Sequence, residues 1–489
     1  VICRGAKLVA KGTAEKPIIF TSAAANPASG DWGGIVLLGT ASVNQSYTWK
    51  GTAYKGLTSV EGGINDASVG YGLAGSGDTE YPIANNADNS GILQYVRIEY
   101  AGYAYQPDNE LNSLTMAAVG SGTTIDHIQV TYAKDDAYEW FGGTVNCKYL
   151  IAYKTQDDDF DTDFGYSGKV QFGIVLRDSL IADISNSEAF ESDNDGNGSD
   201  FTPKTTAVFS NITAIGPRIN PVSGKGNNLY YAGAQIRRNS GISIQNAIFA
   251  GWPRALVIDE SKVTTNGSTY KNLTDSVTRI KNVTLAGNTV DLLYVGKSGA
   301  STNKTDADLL SVFSTPFYNN TILSSSEPNI LKLIQPFNYS NPDFTPYASA
   351  GPATSGNLST AFGTLGLNTS LVGNSSNYIA VNNGTLLWQQ NSGKNALTAK
   401  AFTTDVYTNI MKWKSAFAQT SSVPLLSPSA STLAIISTLN TLILTIASRG
   451  IFLKLKSGPA KPVIDSPGLR VDVSGFTVSW TPVPLCTYA

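Results

Sequence analysis

Short apolar runs that each follow an asparagine recur at nearly constant spacing along the chain. They read FSNITAIG (209–216), IQNAIFAG (244–251), IKNVTLAG (280–287) and YNNTILSS (318–325). The asparagines lie 35, 36 and 38 residues apart, at Asn211, Asn246, Asn282 and Asn320. The runs are short, rich in β-branched residues and bounded by Gly and Asn, which predicts strands rather than helices. A motif that returns in the same direction at long intervals indicates parallel, stacked strands.

Earlier apolar strands extend this repeat towards the N-terminus. The residues that we take as equivalent are Val96, Ile128, Leu150, Ile174 and Ile212, at steps of 32, 22, 24 and 38 residues. A step of about 22 residues is one minimal coil of a β-solenoid, and longer steps carry loop insertions. A β-sandwich would instead show antiparallel hairpins every ~8–12 residues. One asparagine per coil also fits, because amides stacked ~4.8 Å apart can bond to each other and to turn backbone.

Several segments resemble a known group of proteins. KLVAKGTAEKPIIFTS (7–22) and GDWGGIVLLGTA (30–41) resemble the N-terminal coils of secreted bacterial right-handed parallel β-helix proteins. Further matches are NSGILQYVRIEYAG (89–102), YEWFGGTVNCKYLIAY (138–153), DDDFDTDFGYSGKVQFG (157–173), AGAQIRRNSGISIQNAIFAGWP (232–253) and, more loosely, NPDFTPYASAGPATSG (341–356). The resemblance implies an all-β, right-handed parallel β-helix. The group consists largely of cell-surface or secreted proteins, often from bacteria with type IX secretion.

Composition divides the chain into a predicted β-helix and a separate C-terminal part. The β-helix is predicted over 1–360, with one Gly/Asn/Ser-rich insertion at 43–90 that we expect to be functional or packed as a flap on its side. Residues 361–455 are rich in Ser, Thr and Asn, and their apolar run 433–447 is too short and too polar for a membrane span. Residues 456–489 resemble the opening strands of a fibronectin type III sandwich but are too few for a whole one.

Three acidic segments repeat at the coil period. Residues 136–139, 158–161 and 188–191 each read acid, any residue, aromatic, acid, with steps of 22 and 30 residues. In a solenoid, equivalent positions lie above one another and side chains alternate faces along a strand. The aromatics should therefore stack inward and the acids should form an outward column. The aromatics are Tyr138, Phe160 and Phe190, and the acids are Asp136, Glu139, Asp158, Asp161, Glu188 and Glu191.

Carboxylates at intervals of ~4.8 Å cannot all stay ionised without cost. Their pKa values rise, or basic side chains or bound cations neutralise them. Calcium suits such clusters best, because it accepts 6–8 oxygen ligands in irregular geometry. We therefore expect Ca²⁺ at residues 157–163, which hold five aspartates. The alternative for this stretch is a metal-free polar loop with shifted pKa values.

A second stretch also favours calcium. Residues 193–198 carry the D-x-D-x-N-G start of a calcium loop. Lys204 stands where the loop requires a bidentate Glu, so Asp200 or a neighbouring coil would have to complete the site. The alternative is a solvated Asx-rich turn. The metal ligands predicted in the two stretches are Asp157, Asp158, Asp159, Asp161, Asp163, Asp193, Asp195, Asn197 and Asp200.

Basic residues near the acidic column leave an enzymatic alternative open. Arg237 and Arg238 are expected in the next coil, and Lys134 precedes the first acidic segment. A β-helix groove with calcium-binding carboxylates and an arginine resembles polysaccharide lyases, in which calcium neutralises a uronate and a basic residue removes the C5 proton. Asp161 and Glu191 could instead act as acid and base in glycoside hydrolysis. The simpler interpretation, which we favour, is that Arg237 caps the column as an ion pair.

The net charge and the small numbers of histidine and cysteine exclude or disfavour several classes of function. The formal net charge is −3 and no basic stripe stands out, which argues against a nucleic-acid partner. The single histidine, His127, excludes multi-histidine zinc sites and argues against a Ser-His-Asp triad; we expect it at a strand edge. Three cysteines are too few for a disulfide scaffold. Cys3 and Cys147 either pair through stacking or stay as buried thiols.

The sequence thus favours an extracellular structural or adhesive protein of the cell surface, with no catalytic residue assigned. The open ends of a solenoid and a strand-rich tail favour self-association into a filament or matrix, or binding to other surface proteins. Loop tyrosines such as Tyr103, Tyr105, Tyr230 and Tyr231 leave glycan binding without catalysis open. Glycosylation sequons support an exterior location. They include Asn211, Asn266, Asn272, Asn282, Asn303, Asn338, Asn357, Asn368 and Asn383.

Overall fold

Two long β-sheets organise the computed structural model. It describes residues 1–346, apart from 15, 65–71, 107–108, 218–225, 264–267, 298, 300–302, 328–330, 332 and 338–342, and two strands near the C-terminus. The strands of sheet 1 follow one another in space as Thr321–Leu323, Ile280–Ala286, Ser243–Ala250, Val208–Ile215, Lys169–Leu176, Asn146–Tyr153, Thr124–Thr131, Gly91–Glu99, Lys7–Lys11, Phe476–Thr481 and Leu469–Val473, with Ile18–Phe20 also beside Gly91–Glu99. Those of sheet 2 are Val290–Val295, Arg254–Asp259, Ala234–Ile236, Phe190–Ser192, Phe160–Asp163, Tyr138–Phe141, Leu114–Ala117 and Ile35–Leu38.

Neighbouring strands in both sheets come from successive coils and pair in parallel, except for the C-terminal hairpin. The predicted all-β parallel β-helix is therefore confirmed, and the antiparallel sandwich is excluded for these coils. Small elements decorate the coils. They are the pairs Ser46–Trp49 with Thr52–Lys55, Leu57–Ser59 with Leu73–Gly75, Ala104–Gln106 with Asn109–Glu110, Ser187–Glu188 with Tyr230–Ala232 and Leu333–Gln335 with Asp343–Pro346, and the helices Thr269–Thr274 and Asp306–Phe313.

Inward apolar side chains on sheet 1 form one vertical row of the core. Val96, Ile128 and Leu150 pair in register and are buried, as the repeat predicts. The predicted equivalence of Ile174 is wrong, because Gly173 pairs with both Leu150 and Ile212. A side chain on Gly173 would meet the side chain of Ile212, so the glycine leaves the space that its larger neighbours fill.

One residue per coil of sheet 1 adopts the left-handed backbone conformation and forms a second vertical row. Its members are Tyr95, His127, Tyr149, Phe172, Asn211, Asn246, Asn282 and Asn319. The rings stack, with His127 4.3 Å from Tyr95 and 4.2 Å from Tyr149 between centroids. His127 thus lies in a stack on a strand of the long sheet.

The asparagines continue this row as a ladder of amides. Asn282 donates from Nδ2 to Oδ1 of Asn246 at 3.1 Å, and Asn319 donates to Oδ1 of Asn282 at 3.0 Å. Bonding between stacked amides is thus confirmed for Asn246 and Asn282, and the member that follows them is Asn319. The predicted Asn320 instead accepts a hydrogen bond from the Val283 N–H at 2.9 Å.

The insertion at residues 43–90, here called the flap, is folded rather than structureless. Its hairpins Ser46–Trp49 with Thr52–Lys55 and Leu57–Ser59 with Leu73–Gly75 are antiparallel. A buried ion pair of 2.6 Å joins Asp78 of the flap to Arg4 of the first coil. The flap is therefore fixed to the N-terminal coil.

In the predicted C-terminal part, the structure describes one hairpin. Residues 361–455, with the apolar run 433–447, lie outside the described residues. Within 456–489, the two described strands form an antiparallel hairpin whose second strand pairs with Lys7–Lys11. The fibronectin-like assignment stays a prediction. No described helix is long and apolar enough to cross a membrane.

The cysteines match neither a Cys3–Cys147 disulfide nor two buried thiols. Cys3 is disulfide-bonded. Cys147 is buried and forms no disulfide, so the Cys3–Cys147 pair is excluded. The reason is geometric, because Cys147 points into the core from the strand Asn146–Tyr153.

Candidate metal centre

An inward stack of aromatic rings holds the acidic flank in place. Tyr138, Phe160 and Phe190 pair in register on sheet 2, and all three are fully buried. Their ring centroids are 5.7 Å and 5.0 Å apart along the stack. The Tyr138 hydroxyl also hydrogen-bonds the carbonyl oxygens of Ile128 and Ile151, both at 2.9 Å. The predicted superposition of the three aromatics is confirmed.

The acids beside these rings form two parallel columns. Glu139, Asp161 and Glu191 pair directly in register on sheet 2. The second column is linked through the backbone. Asp136 accepts a hydrogen bond from the Asp158 N–H at 2.9 Å, and Asp158 accepts one from the Glu188 N–H at 2.6 Å. The six predicted carboxylates therefore lie on one flank across three coils; we call them the acidic columns.

The acidic columns line a cavity of about 980 Å³, here called the acidic cavity. Eleven carboxylates and four basic side chains face it, so its formal charge is −7 when all are ionised. The carboxylates are Glu61, Glu110, Asp135, Asp136, Glu139, Asp157, Asp158, Asp161, Asp183, Glu188 and Glu191, and the basic residues are Lys134, Arg237, Arg238 and Lys262. The site is thus strongly acidic even after its own basic groups are counted.

Burial in this cavity makes ionisation costly. It raises the pKa of Asp157 and of Glu188 to about 8, with neighbouring carboxylates adding to the shift. The pKa values of Asp136, Asp158 and Asp161 also lie well above the ordinary range, for the same two reasons. At neutral pH the cavity must therefore hold either protons or cations.

Three groups of carboxylates bring their oxygens within 4.8 Å of one another. They are Asp135 with Asp136 and Asp157, Asp136 with Glu139 and Asp161, and Asp158 with Glu188 and Glu191. The last two groups share no residue, so two ions could bind at the same time. The side-chain atoms that these groups offer are all carboxylate oxygens, which suit a hard cation such as Ca²⁺.

A family model described as a pectate-lyase-like beta helix domain matches residues 1–317. The chain belongs to this family. The match includes every coil that lines the acidic cavity. No curated protein and no solved structure matches the chain. Membership is compatible with a polysaccharide-active enzyme or with a surface protein, and it does not choose between them.

Within this pectate-lyase-like domain, only part of the predicted aspartate run faces the acidic cavity. Asp157, Asp158 and Asp161 line it. Asp159 lies elsewhere, with Oδ1 3.0 Å from the guanidinium of Arg177, and both side chains are fully buried. Burial raises the pKa of Asp159 to about 6, and Arg177 opposes the shift. This buried ion pair corrects the placement of Asp159 in the acidic cluster.

Asp163 also lies outside the lining of the acidic cavity. Its Oδ1 accepts a hydrogen bond from the Phe164 N–H at 2.6 Å. Burial raises its pKa well above the ordinary range, and the charge of Asp193 adds to the shift. Asp163 therefore borders the next acidic stretch of the domain.

The stretch 193–200 of the pectate-lyase-like domain is held by the protein's own donors. Asp193 pairs with Nε of Arg237 at 2.9 Å and with Arg238 at 2.5 Å. Asp195 accepts hydrogen bonds from the backbone N–H groups of Asn197 at 2.9 Å and Ser199 at 3.0 Å. This geometry matches an Asx-rich turn. Calcium at this loop stays a prediction.

The remaining two predicted ligands of that loop point outward. Asn197 and Asp200 are exposed, and Asp200 accepts a hydrogen bond from Nδ2 of Asn239 at 2.8 Å. Neither residue lines the acidic cavity. The loop and the cavity are therefore two separate acidic features, joined through Arg237.

Arg237 lies on the coil that follows Glu191, at the end of the acidic columns. It forms ion pairs with Glu191 and Asp193. Arg237 also lies one residue beyond the strand Ala234–Ile236, whose Gln235 pairs with Glu191. The arrangement matches the interpretation of Arg237 as an ion-pair cap. Its guanidinium group is occupied by Glu191 and Asp193 and is not free to act on a ligand beside Asp161.

Sequence reasoning missed several lining residues. Asp135 could have been found, because it lies 22 residues before Asp157, one coil step away. Glu61, Glu110 and Asp183 come from the flap, from the hairpin Ala104–Gln106 with Asn109–Glu110 and from a loop. No repeat signal marks these three, since each belongs to an insertion that occurs once.

Proposed function

We propose that this chain is a calcium-binding β-helix protein of the cell exterior with a structural or adhesive role. The observation that supports it best is the pair of carboxylate groups that share no residue, Asp136 with Glu139 and Asp161, and Asp158 with Glu188 and Glu191. Each joins side chains of two successive coils, so a bound cation ties those coils together. An ion bound only by the folded state adds stability by mass action, about 2.7 kcal/mol at 100 times its Kd.

The choice of a structural role rests on the basic residues of the cavity. A lyase in which an arginine is the base needs that arginine free opposite its cation, but Arg237 is paired with Glu191 and Asp193, and Arg238 with Asp193. Lys134 donates a hydrogen bond to the side chain of Gln156 at 3.3 Å. An exterior location agrees with calcium sites that work at the ~10⁻⁴–10⁻³ M affinities of extracellular modules. Self-association or binding to other surface proteins is part of the same proposal.

The test is to strip the full chain of metal with a chelator, then add Ca²⁺ back. We expect bound calcium by elemental analysis, a melting temperature that falls on chelation and recovers with Ca²⁺, and assemblies in electron micrographs that dissociate on chelation. A protein that binds no calcium and melts at the same temperature with chelator contradicts the cation site. Uniform monomers under both conditions contradict assembly alone.

A polysaccharide-active enzyme is the second candidate, supported by the size of the cavity. Its volume of about 980 Å³ is near the upper end of the ~300–1,000 Å³ typical of ligand pockets. The carboxylates of the acidic columns would hold a cation that neutralises an acidic sugar, and Arg237 would have to leave Glu191 to act as a base. Incubation with polygalacturonate and Ca²⁺ tests this. The ultraviolet absorbance of an unsaturated product would overturn the structural role.

A further inference from the structure

The C-terminal hairpin covers the N-terminal edge of sheet 1. Its strand Phe476–Thr481 pairs antiparallel with Lys7–Lys11. On its other side, Lys7–Lys11 pairs with Gly91–Glu99 of the next coil. Without the hairpin, Lys7–Lys11 would present a row of unpaired N–H and C=O groups, which is a template for a strand of another chain. The hairpin therefore closes an edge at which association would otherwise occur.

Cys3 has one cysteine left as its disulfide partner. The chain contains three cysteines, Cys3, Cys147 and Cys486. Cys3 is disulfide-bonded, and Cys147 is not. Cys486 lies outside the described residues and follows the hairpin in the sequence. Within a single chain, it is the partner that remains for Cys3.

The strand register leads to the same pair independently. Lys7 lies opposite Thr481. In an antiparallel pair, a step towards the N-terminus on one strand matches a step towards the C-terminus on the other. Cys3 precedes Lys7 by four residues. Cys486 follows Thr481 by five residues. Chain segments of nearly equal length thus lead from one paired position to the two cysteines.

The first coil holds Cys3 in place. Its carbonyl oxygen accepts a hydrogen bond from the Ala6 N–H at 2.9 Å, and the N–H of Ile2 donates to the carbonyl oxygen of Val36 at 2.7 Å. Cys3 is 9% exposed. A bond from Cys3 to Cys486 closes a loop that contains almost the whole chain, and the stabilisation by a disulfide increases with loop length.

The edge strand Lys7–Lys11 can equally take the hairpin of a second copy, which carries the same strand. Exchange of an identical element between copies is a low-cost route to dimers. In sheet 1, eight steps of ~4.8 Å separate Thr321–Leu323 from Lys7–Lys11, so the chain returns roughly 38 Å to reach this edge. Residues 347–468 connect the coils to the hairpin, and a segment of this length can also reach the edge of a neighbouring copy.

We propose that a disulfide between Cys3 and Cys486, here called the clasp, locks the C-terminal hairpin onto Lys7–Lys11, and that opening the clasp frees this edge for the hairpin of a second copy. The bond forms by thiol–disulfide exchange, in which the two thiols lose two protons and two electrons and a disulfide oxidant is reduced to two thiols. Such bonds persist in the oxidising surroundings outside the cell. The clasp is independent of the cation site, whereas the exchange between copies rests on the self-association of the proposed function.

In the first test, the full chain is digested without reductant after free thiols are blocked, and linked peptides are identified by mass spectrometry. We expect a peptide that joins Cys3 to Cys486 in a monomeric chain, and its loss in Cys486→Ser. Cys147→Ala is the matched control and should keep the link, because Cys147 forms no disulfide. Free thiols at Cys3 and Cys486, or a parent chain that runs as a covalent dimer on a non-reducing gel, overturn the clasp.

The second test asks whether the opened edge exchanges hairpins. It is done in chelator, which removes calcium-dependent assembly, with the parent chain in reductant and with the double variant Cys3→Ser/Cys486→Ser. We expect twice the monomer mass by light scattering for both, and a monomer for the oxidised parent. Val9 lies opposite Ser479. Val9→Cys in one copy of the double variant and Ser479→Cys in another should therefore give a covalent dimer when the two are expressed together and oxidised.

The outcomes separate the clasp, the exchange and the cation site. A monomer in reductant and chelator overturns the exchange and leaves the clasp standing. A dimer that forms no covalent link between positions 9 and 479 also overturns the exchange. A chain that binds no calcium but yields the linked peptide refutes the cation site alone.

Discussion

The Asp158 carboxylate accepts a hydrogen bond at 2.6 Å from the backbone N–H of Glu188, one coil farther along the β-helix. Asp136 makes the same contact with the N–H of Asp158. These carboxylates are thus part of the contact between coils and cannot turn away from their neighbours into solvent. The acidic columns are built into the backbone architecture, which is why their charge must be neutralised in place.

Replacing Asp158 by Asn should change stability and calcium affinity in opposite directions. The Asn oxygen can still accept a hydrogen bond from the Glu188 N–H, while one carboxylate is removed from its group with Glu188 and Glu191. We expect the chelator-treated variant to melt at a higher temperature than the parent, because repulsion is relieved. Calcium affinity, measured by calorimetry, should fall roughly 10- to 100-fold.

Asp195→Asn is the matched control for that substitution. Asp195 is also buried, but its oxygens accept hydrogen bonds from its own loop. We expect calcium affinity to stay at the parent value, even if the loop is destabilised. A large loss of affinity in Asp195→Asn, with none in Asp158→Asn, would place the ion at residues 193–198 instead.

Without metal, the stability of the folded protein should fall as pH rises. Folding raises the pKa of Asp157 from 3.8 and that of Glu188 from 4.5 to about 8, so between these values the folded state holds protons that the unfolded chain has released. Each titrating group contributes at most about 1.4 kcal/mol per pH unit. Thermal unfolding in chelator from pH 5 to pH 8 should show a declining melting temperature, and Ca²⁺ should reverse the decline at pH 8. A melting temperature that rises over this range would contradict the buried acidic columns.

Arg237→Met should make the chain more dependent on calcium. The substitution leaves Glu191 and Asp193 without their guanidinium partner, which costs about 3 kcal/mol for a largely buried pair. It also frees Glu191 to serve a cation. The melting temperature in chelator should drop, and the gain on adding Ca²⁺ should exceed that of the parent. Arg254→Met, which removes a cation that stacks on Tyr231 and does not line the acidic cavity, should leave that gain unchanged.

The asparagine ladder predicts a different response at Asn246. Asn246→Ala removes the acceptor for Asn282 and forces alanine into a left-handed conformation with φ of 51°. We expect a loss of about 2–4 kcal/mol in the free energy of unfolding, from one hydrogen bond and one strained residue. Asn246→Gly keeps the backbone relaxed and should lose only about 1–2 kcal/mol. Equal losses in urea unfolding would show that the backbone conformation is not the reason for asparagine.

The repeat allowed the stacking to be predicted, because a fixed coil step places equivalent residues above one another. The superposition of Tyr138 on Phe160 follows from that step alone. Errors of one residue occurred at Ile174 and Asn320. The residue that follows the left-handed position is the equivalent one in each coil, and at Gly173 it has no apolar side chain to mark it. Asn319 and Asn320 are the same residue type, so the sequence could not distinguish them. Alternation of side chains along the strand did not predict that Asp159 would pair with Arg177, which directly follows the strand Lys169–Leu176.

The lining of the acidic cavity was only partly predictable for a related reason. Residues on the coils follow the repeat and can be placed by it. Glu61, Glu110 and Asp183 lie on insertions, and no sequence pattern shows that these insertions pack against the coils beside the cavity. The ion pair of Asp78 with Arg4 helps to fix the flap that carries Glu61. Such contacts are decided by tertiary packing.

The hydrogen-bonded pitch of sheet 2 also sets a size limit for any occupant of the acidic columns. Glu139 and Asp161 are carried on paired strands, whose separation of ~4.8 Å is fixed by the backbone. A wall of this kind cannot contract around a smaller guest. Magnesium demands short contacts of ~2.0–2.1 Å in strict octahedral order, whereas calcium accepts longer and less regular ones. We therefore expect this flank to bind calcium more tightly than magnesium.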